Sequence, residues 1–243
     1  MVRYRFFDKF IYNKGMDFVG IDKFSLLDYD ENVSIVLFAP TCNYRCPFCH
    51  NGDSVLGSHS SIPFDEILSF LKTRVGLVDA VVVSGGEPTL MDDVVEKIEK
   101  IKELGYKIKI DTNGTDPDVL KKLLDKSLIN YVAMDIKNSE DKYAETVGVT
   151  NPLLSKIKES ISIIMNSGID YEFRTTLVAE YHSKESIEKM CELIKGANKL
   201  YLQKFVDREG VIKKGLHPIE EVWALSFKEI LLGYVKQVEL RGY

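Results

Sequence analysis

The sequence predicts an α/β protein whose parallel strands curl into an open, partial barrel. Three observations predict it. From residue 33 onward, short apolar runs rich in β-branched residues alternate with amphipathic stretches of helical period, the pattern of parallel strands joined by right-handed helical crossovers. Six strand–helix units are counted, too few for the eight that close a full barrel. Polar motifs follow the strands at their C-terminal ends, which converge on the face where such sheets carry their sites.

Residues 1–32 read as an irregular N-terminal extension, aromatic at first and then acidic and polar, with at most a short strand. The apolar run 33–38 is the first barrel strand, and a cysteine-rich loop leaves its end. Residues 63–73 form a helix with Pro63 in its first turn, where a missing N–H costs nothing. A short buried strand, 80–83, runs into Ser84-Gly85-Gly86-Glu87-Pro88. Helix 91–104 follows, with Val94, Ile98 and Ile101 on one face and Gly105 as its stop. Strand 106–110 ends in Asp111-Thr112-Asn113-Gly114, and helix 117–126 carries Val119, Leu120, Leu123 and Leu124 on its apolar side.

Strand 131–134 ends in Asp135-Ile136-Lys137. After a polar excursion, Asn151-Pro152 caps and opens a helix that runs to Ser167 and closes at Gly168. Strand 171–177 carries Glu172 and Arg174, helix 183–195 ends at Gly196, and strand 200–203 precedes Lys204. A last helix spans 218–235, and 238–240 reads as an extra strand. No linker or low-complexity stretch interrupts the pattern. Residues 1–243 therefore read as one domain: an extension 1–32, a barrel core 33–206 and a C-terminal extension 207–243.

Composition excludes several classes of function. An apolar fraction of 45% and a charged fraction of 28% over 243 residues describe an ordinary globular protein. A formal net charge of −5 gives no general attraction for nucleic acid or anionic lipid. The first residues mix Arg3, Arg5, Asp8 and Lys9 into aromatics, which is not the apolar core of a signal peptide. No apolar run approaches the roughly 20 residues of a spanning helix. The expectation is a cytoplasmic protein without nucleic-acid or membrane partners, in a compartment that keeps thiols reduced.

The chemistry is concentrated in Thr41-Cys42-Asn43-Tyr44-Arg45-Cys46-Pro47-Phe48-Cys49-His50-Asn51. Three of the four cysteines fall within eight residues, too tightly for disulfides and too regularly for an apolar cluster. Thiolates so spaced wrap a soft metal centre, and an iron–sulfur cluster is the natural occupant. Cys191 lies on an apolar helical stripe with Ile187, Met190 and Ile194 and reads as a core thiol. With three thiolates, one iron is left open to a small molecule. A zinc knuckle is the rival, but it needs His50 or Cys191 as fourth ligand, and His50 directly adjoins Cys49.

Gly85 and Gly86 would let a ligand approach the backbone closely. Asp111, Asp135 and Lys137 bring charge to the same face, and Gln203-Lys204 ends the next strand but one. Singly, Gly-Gly and Asn-Gly are turn formers and a strand-end aspartate is a helix cap. Five motifs at equivalent strand ends favour a site.

The cysteine spacing resembles the signature of radical S-adenosylmethionine (SAM) enzymes, and Phe48 fits the aromatic that family favours before its last cysteine. The stretch Cys46-Pro47-Phe48-Cys49-His50-Asn51 resembles the activating enzymes of glycyl radical enzymes. Phe24-Ser25-Leu26-Leu27-Asp28-Tyr29 is similar to activators of anaerobic ribonucleotide reductase. The chain departs from related activators at Tyr29-Asp30-Glu31-Asn32, where Tyr-Pro-Gly or Gly-Pro-Gly is common, and at Thr41, where Gly is common. The resemblance implies a partial (βα)6 TIM-like barrel, the radical SAM core. It implies a [4Fe–4S] cluster on Cys42, Cys46 and Cys49. It also implies SAM held by Phe48, Gly85, Gly86, Glu87, Asp111, Asn113, Asp135, Lys137 and Arg174. By likeness to the pyruvate formate-lyase activator, Asp111, Thr112, Met134 and Asp135 would hold a monovalent cation. For Arg174 an ion pair with Glu172 on the same strand face is the alternative.

The implied activity is reductive cleavage of SAM to methionine and a 5′-deoxyadenosyl radical, which takes a hydrogen atom from a glycine of a partner protein. That partner would be an anaerobic ribonucleotide reductase or another glycyl radical enzyme, and the reductant a flavodoxin- or ferredoxin-type protein. The chain itself would bind, orient and exclude water. A second reading gives the same chemistry a small-molecule substrate, as in short deazaguanine-forming relatives. A third is a non-catalytic iron–sulfur carrier or a zinc-structured interaction domain.

Overall fold

The computed structural model describes residues 17–56 and 60–243; the part of the expected N-terminal extension before residue 17 lies outside them. Among the described residues eight strands form one sheet in chain order. They are β1 (Gly20–Ser25), β2 (Ser34–Ala39), β3 (Ala80–Gly85), β4 (Lys107–Thr112), β5 (Tyr131–Asp135), β6 (Asp170–Leu177), β7 (Lys199–Lys204) and β8 (Gln237–Arg241). β1 runs antiparallel to β2, and β2 to β8 are parallel throughout. β1 and β8 are the two edges and do not pair with each other, so the barrel stays open. The helices are α1 (Gly52–Leu56), α2 (Phe64–Lys72), α3 (Val94–Lys102), α4 (Pro117–Asp125), α5 (Glu140–Val147), α6 (Leu154–Met165), α7 (Lys184–Met190) and α8 (Glu221–Leu231).

Strand alternation divides the interior into two unlike layers. Val81 and Val83, Ile108 and Ile110, and Leu200 and Leu202 face the helices and are fully buried against Ile98, Leu123 and Ile164. Each such aliphatic side chain contributes roughly 1.5–3 kcal/mol by leaving water. The intervening residues face the lumen, where the apolar cluster is small (Tyr29, Val36, Ala80 and Val82). The rest of that face is charged: Lys109, Asp111, Asp135, Glu172 and Arg174. The outer layer thus stabilises the sheet, and the lumen is left for chemistry.

Residues 26–33 close the opposite end. Tyr29 packs its ring on Tyr131 at 5.3 Å, and the Lys109 ammonium donates to the Asp28 carbonyl. Because Ser25 pairs with Ser34 at the start of β2, the stretch 24–29 lies at the strands' N-terminal ends, away from the cysteine loop. Phe24, Leu26 and Leu27 are exposed there.

The six expected barrel strands are β2 to β7, and β8 extends the sheet as a seventh parallel strand. Two helices were not foreseen. α1 continues directly from the cysteine motif, and α5 forms in the polar excursion and stops at left-handed Gly148 (φ 68°). α6 begins at Leu154 instead of Asn151, because the Asn151 carboxamide accepts from the Leu153 N–H (3.2 Å) and Leu153 turns left-handed (φ 57°). α7 breaks after Met190 into a tighter turn, Cys191–Leu193, shortening the helix expected to reach Lys195. No helix among the described residues is long and apolar enough to cross a membrane.

Candidate active site

The loop leaving β2 is held from three sides. Toward α5 and α6, the Arg45 N–H donates to Val147 O (2.9 Å) and the Tyr44 hydroxyl to Pro152 O (2.6 Å). Arg45 Nη1 donates back to Cys42 O (2.6 Å) and Tyr44 O (2.7 Å). Toward the chain after β7, His50 Nε2 bonds Val206 O (2.8 Å) and its ring stacks on buried Phe205 at 5.7 Å. Gly52 N–H and Lys213 N–H donate to Gly210 O (3.1 Å) and Pro47 O (2.8 Å).

The third side is β3, and there the two glycines find their reason. A Cβ on Gly85 would stand 2.4 Å from Ala39 N, and one on Gly86 2.0 Å from Thr41 O. Gly85 also has φ +105°, which side-chain-bearing residues rarely adopt. The close approach that demands glycine is therefore to the cysteine loop itself. Gly86 N–H donates to Ala39 O (3.0 Å), Glu87 N–H to Thr41 O (2.6 Å), and Asn51 Nδ2 to Gly85 O (2.8 Å).

Between this loop and the ends of β3 to β7 lies a cavity of about 250 Å³, partly open to solvent. Cys42, Cys46, Phe48 and Cys49 line it with Gly85, Gly86, Asp111, Thr112, Asn113, Asp135, Lys137 and Arg174. Cys191 does not; it is buried in the helix layer with its thiol donating to Ile187 O (3.2 Å). Thr176 and Gln203 complete the β6 and β7 side.

The cavity floor is a charge network. Arg174 Nε donates to Asp135 Oδ1 (3.0 Å) and Nη1 to Asp111 Oδ2 (3.2 Å), while Lys137 pairs with Asp135 (2.9 Å) and Lys109 with Asp111 (3.3 Å). Burial alone would raise the Asp135 carboxyl, but Arg174 and Lys137 outweigh it and hold the group down to about 2. Asp111 is likewise lowered: burial opposes its charge, and Arg174 and Lys109 favour it more. Lys137 is raised, since Asp135 and the nearby Cys46 outweigh its own desolvation. Asp111 Oδ1 meets Lys109 as an ion pair but accepts no hydrogen bond.

Two expected contacts are made differently. Glu87 is fully buried and does not reach the cavity; Oε1 accepts from Thr89 N–H (3.1 Å), Thr89 Oγ1 (2.6 Å) and Thr112 Oγ1 (2.8 Å), and Oε2 from Asn113 N–H (2.6 Å). Its carboxylate ties the end of β3 to the end of β4. Of the four residues named for a monovalent cation, the Met134 side chain packs beneath Gly114 beside Ser160 and the Thr112 hydroxyl bonds Glu87, so those two would offer only main-chain oxygens. The Arg174 guanidinium bridges Asp111 and Asp135. Glu172 instead accepts from Tyr131 Oη (3.0 Å) and pairs with Arg241 (3.5 Å).

Several supports carry no sequence signal. His182 is buried, accepting Val178 N–H at Nδ1 (3.1 Å) and bonding Lys137 O through Nε2 (2.9 Å). Burial holds it neutral by lowering its pKa. Asn43, Tyr44 and Thr115 act on the cysteine loop, and polar residues in irregular segments give no periodicity to detect.

Burial pushes the Cys42 thiol up to about 12, helped by the Glu87 charge, and Cys46 to about 11, against the pull of Lys137. Cys49 is raised by burial too, despite the Asn51 N–H. A raised pKa means less thiolate at neutral pH. In chelator-stripped protein, iodoacetamide should therefore label Cys46 about a hundredfold more slowly than free cysteine at pH 8, with the rate climbing until pH passes about 11. Labelling at the free-cysteine rate, followed by peptide mass spectrometry, would contradict this burial.

Three thiols on one cavity wall, with two amide donors on the Cys42 sulfur and a lysine alongside, make a soft-ligand set suited to an anionic cluster. Among the described residues no three Cys, His, Asp or Glu side chains form a site for a single ion. A cluster asks each thiolate to reach its own iron, which a shared wall allows. Fold and site together define a parallel α/β partial barrel that presents three cysteines to a polar cavity.

The sequence signature of the Radical SAM superfamily matches residues 36–194, and the chain belongs to that superfamily. Over 194 residues it is 36% identical to a Methanocaldococcus jannaschii protein named "Putative glycyl-radical enzyme activating enzyme", covering 78% of this chain and 80% of the relative. It is 30% identical over 128 residues to a protein of Thermococcus kodakarensis named "Probable GTP 3′,8-cyclase", covering 51% of this chain and 41% of that one. In fold it is similar to Streptococcus suis SuiB bound to S-adenosylmethionine, with TM-score 0.63 and 17% identity over 85% of this chain and 52% of SuiB. The family implies a [4Fe–4S] cluster and SAM as cofactors.

Proposed function

We propose that this chain is a radical SAM activase that generates a glycyl radical on a partner enzyme, first among candidates an anaerobic ribonucleotide reductase. The likeness to the M. jannaschii relative carries the reading, and the cavity's open side suits a large substrate that brings its own cover. Cys42, Cys46 and Cys49 would hold the cluster, which when bound with SAM supplies one-electron reductive cleavage of the sulfonium. Gly85, Gly86, Asp111, Asp135 and Lys137 would meet the amino, carboxylate and ribose groups of SAM, with Phe48 against it. Glu87 and Asn113 act through the frame, since their polar atoms are committed to the protein. Arg174 supplies the positive charge between the two aspartates that a monovalent cation would otherwise bring. The C-terminal extension would belong to the same domain as the barrel, because Gly210 and Lys213 bond the cysteine loop; the protein would act in the cytoplasm, with a flavodoxin- or ferredoxin-type protein as reductant.

The test is anaerobic reconstitution, dithionite reduction, and addition of SAM with candidate glycyl radical proteins. The expected result is 5′-deoxyadenosine together with a doublet glycyl EPR signal, both abolished in Cys42→Ala. Deoxyadenosine released without a glycyl signal, but stimulated by GTP or another small molecule, would transfer the assignment to a small-molecule enzyme.

A further inference from the structure

Cys42 is the first thiol of the loop, and its sulfur receives two hydrogen bonds: from Tyr44 N–H at 3.4 Å and from Asn113 Nδ2 at 3.7 Å. As a thiol it can also donate to Asn43 Oδ1 (3.9 Å), which a thiolate, having no proton, cannot do. The Asn113 carboxamide sits in a closed ring. Its Nδ2 donates to Asn43 Oδ1 (2.9 Å), Asn43 Nδ2 donates to Thr115 Oγ1 (2.9 Å), and Thr115 Oγ1 donates to Asn113 Oδ1 (2.7 Å). The orientation of the ring is fixed by a group that can only donate: Thr115 N–H reaches Asn113 Oδ1 at 3.0 Å. The oxygen must therefore face Thr115, and both amide hydrogens are left for Asn43 and the Cys42 sulfur. Asn113 and Thr115 are buried, so the bonds act where little water screens them and reinforce one another.

We propose that Asn113, locked by Thr115 and Asn43, is a positioning residue that aims an amide N–H at the Cys42 thiolate and thereby sets the reduction potential of the cluster that thiolate holds. The proposal rests on the cysteine loop carrying a [4Fe–4S] cluster. A hydrogen bond to a ligating sulfur draws charge from the metal centre and favours the more negative, reduced state. Asn113 is thus an electronic support for the cluster and not a SAM ligand, and the ring also uses Asn43, one of the three residues between the first two cysteines.

The experiment is a potentiometric EPR titration of the reconstituted full chain without SAM, comparing wild type with Asn113→Ala and Thr115→Val. Asn113→Ala should leave about tenfold less reduced cluster at a given potential, a downward shift of about 59 mV for a one-electron couple. Thr115→Val keeps the amide but loosens its aim, and should shift the same way by less. A wild-type measurement guards against variants that lose the cluster. In protein carrying 15N only at asparagine side-chain amides, pulsed EPR should detect a 15N coupling to the reduced cluster. Unchanged potentials in variants with full iron and sulfide, or no 15N coupling in wild type, would overturn the proposal while leaving the cluster intact. A wild-type chain that takes up no four-iron cluster would overturn the cluster reading with it.

Discussion

Gly86→Ala should lower folding stability by about 3 kcal/mol, the upper end for overpacking, and reduce iron uptake on the order of tenfold. The new methyl would stand 2.0 Å from Thr41 O and 2.5 Å from Thr41 C. Both are main-chain atoms, with no rotamer to yield. The backbone of residue 86 is also fixed from below by its bond to Ala39 O and the Glu87 bond to Thr41 O. Strain is therefore relieved by moving the cysteine loop, and a displacement of about 1 Å in a catalytic frame costs roughly a hundredfold in rate. For a chain of this size the stability loss reads as a fall in Tm of about 6–12 °C. Gly233→Ala is the matched control, because its Cβ would meet only Ile230 O at an ordinary 3.4 Å. Wild-type iron content and Tm in Gly86→Ala would mean that the loop is not welded to β3 as described.

That weld shows where the sequence was readable and where it was not. Gly85-Gly86 and the cysteine spacing were visible as motifs, but the glycines suggested room for a ligand. The structure gives the room to Ala39 and Thr41, a contact between segments over forty residues apart. The barrel was legible because period is a local property. Val81 and Val83, or Val94, Ile98 and Ile101, record their buried face in their spacing. α5 escaped because Glu140-Asp141-Lys142 opens it with charge, and what it buries is Tyr143, Thr146 and Val147 rather than a broad apolar stripe. The same limit applies within the site. The sequence placed Glu87 and Asn113 just past strand ends and Arg174 within a strand, but could not say which way each side chain turns. Glu87 turns inward to Thr112 and Asn113, and Arg174 crosses to β4 and β5 instead of pairing with Glu172. Asn43 and Thr115 became functional only through a ring closed in three dimensions.

Arg174→Gln should be the most damaging single change on the cavity floor. The guanidinium is buried between two carboxylates, and removing one partner of a buried ion pair typically costs about 3–5 kcal/mol, because the remaining charges keep their desolvation and lose their compensation. In the wild type Asp135 titrates at about 2, below its ordinary value of 3.8. A depressed folded-state pKa contributes stability that is present above about pH 4 and lost as pH falls toward 2. Without Arg174 both aspartates become harder to ionise, so the penalty is largest at neutral pH and shrinks as acid protonates them. At pH 7 the variant's Tm should fall by about 10 °C, and the gap to wild type should narrow near pH 4. Lys109 and Lys137 remain to hold the fold together.

The same variant separates a built-in cation from a bound one. If the guanidinium supplies the charge between Asp111 and Asp135, wild-type SAM affinity should be indifferent to exchanging potassium for tetramethylammonium. Arg174→Gln should bind SAM more weakly and recover part of the loss in potassium or sodium, measured by calorimetry on the reconstituted protein. A wild type that itself needs potassium would show that a metal ion shares this floor with the arginine. The expected result instead follows from charge balance: three cationic side chains already face two carboxylates, leaving no net negative charge to attract a fourth.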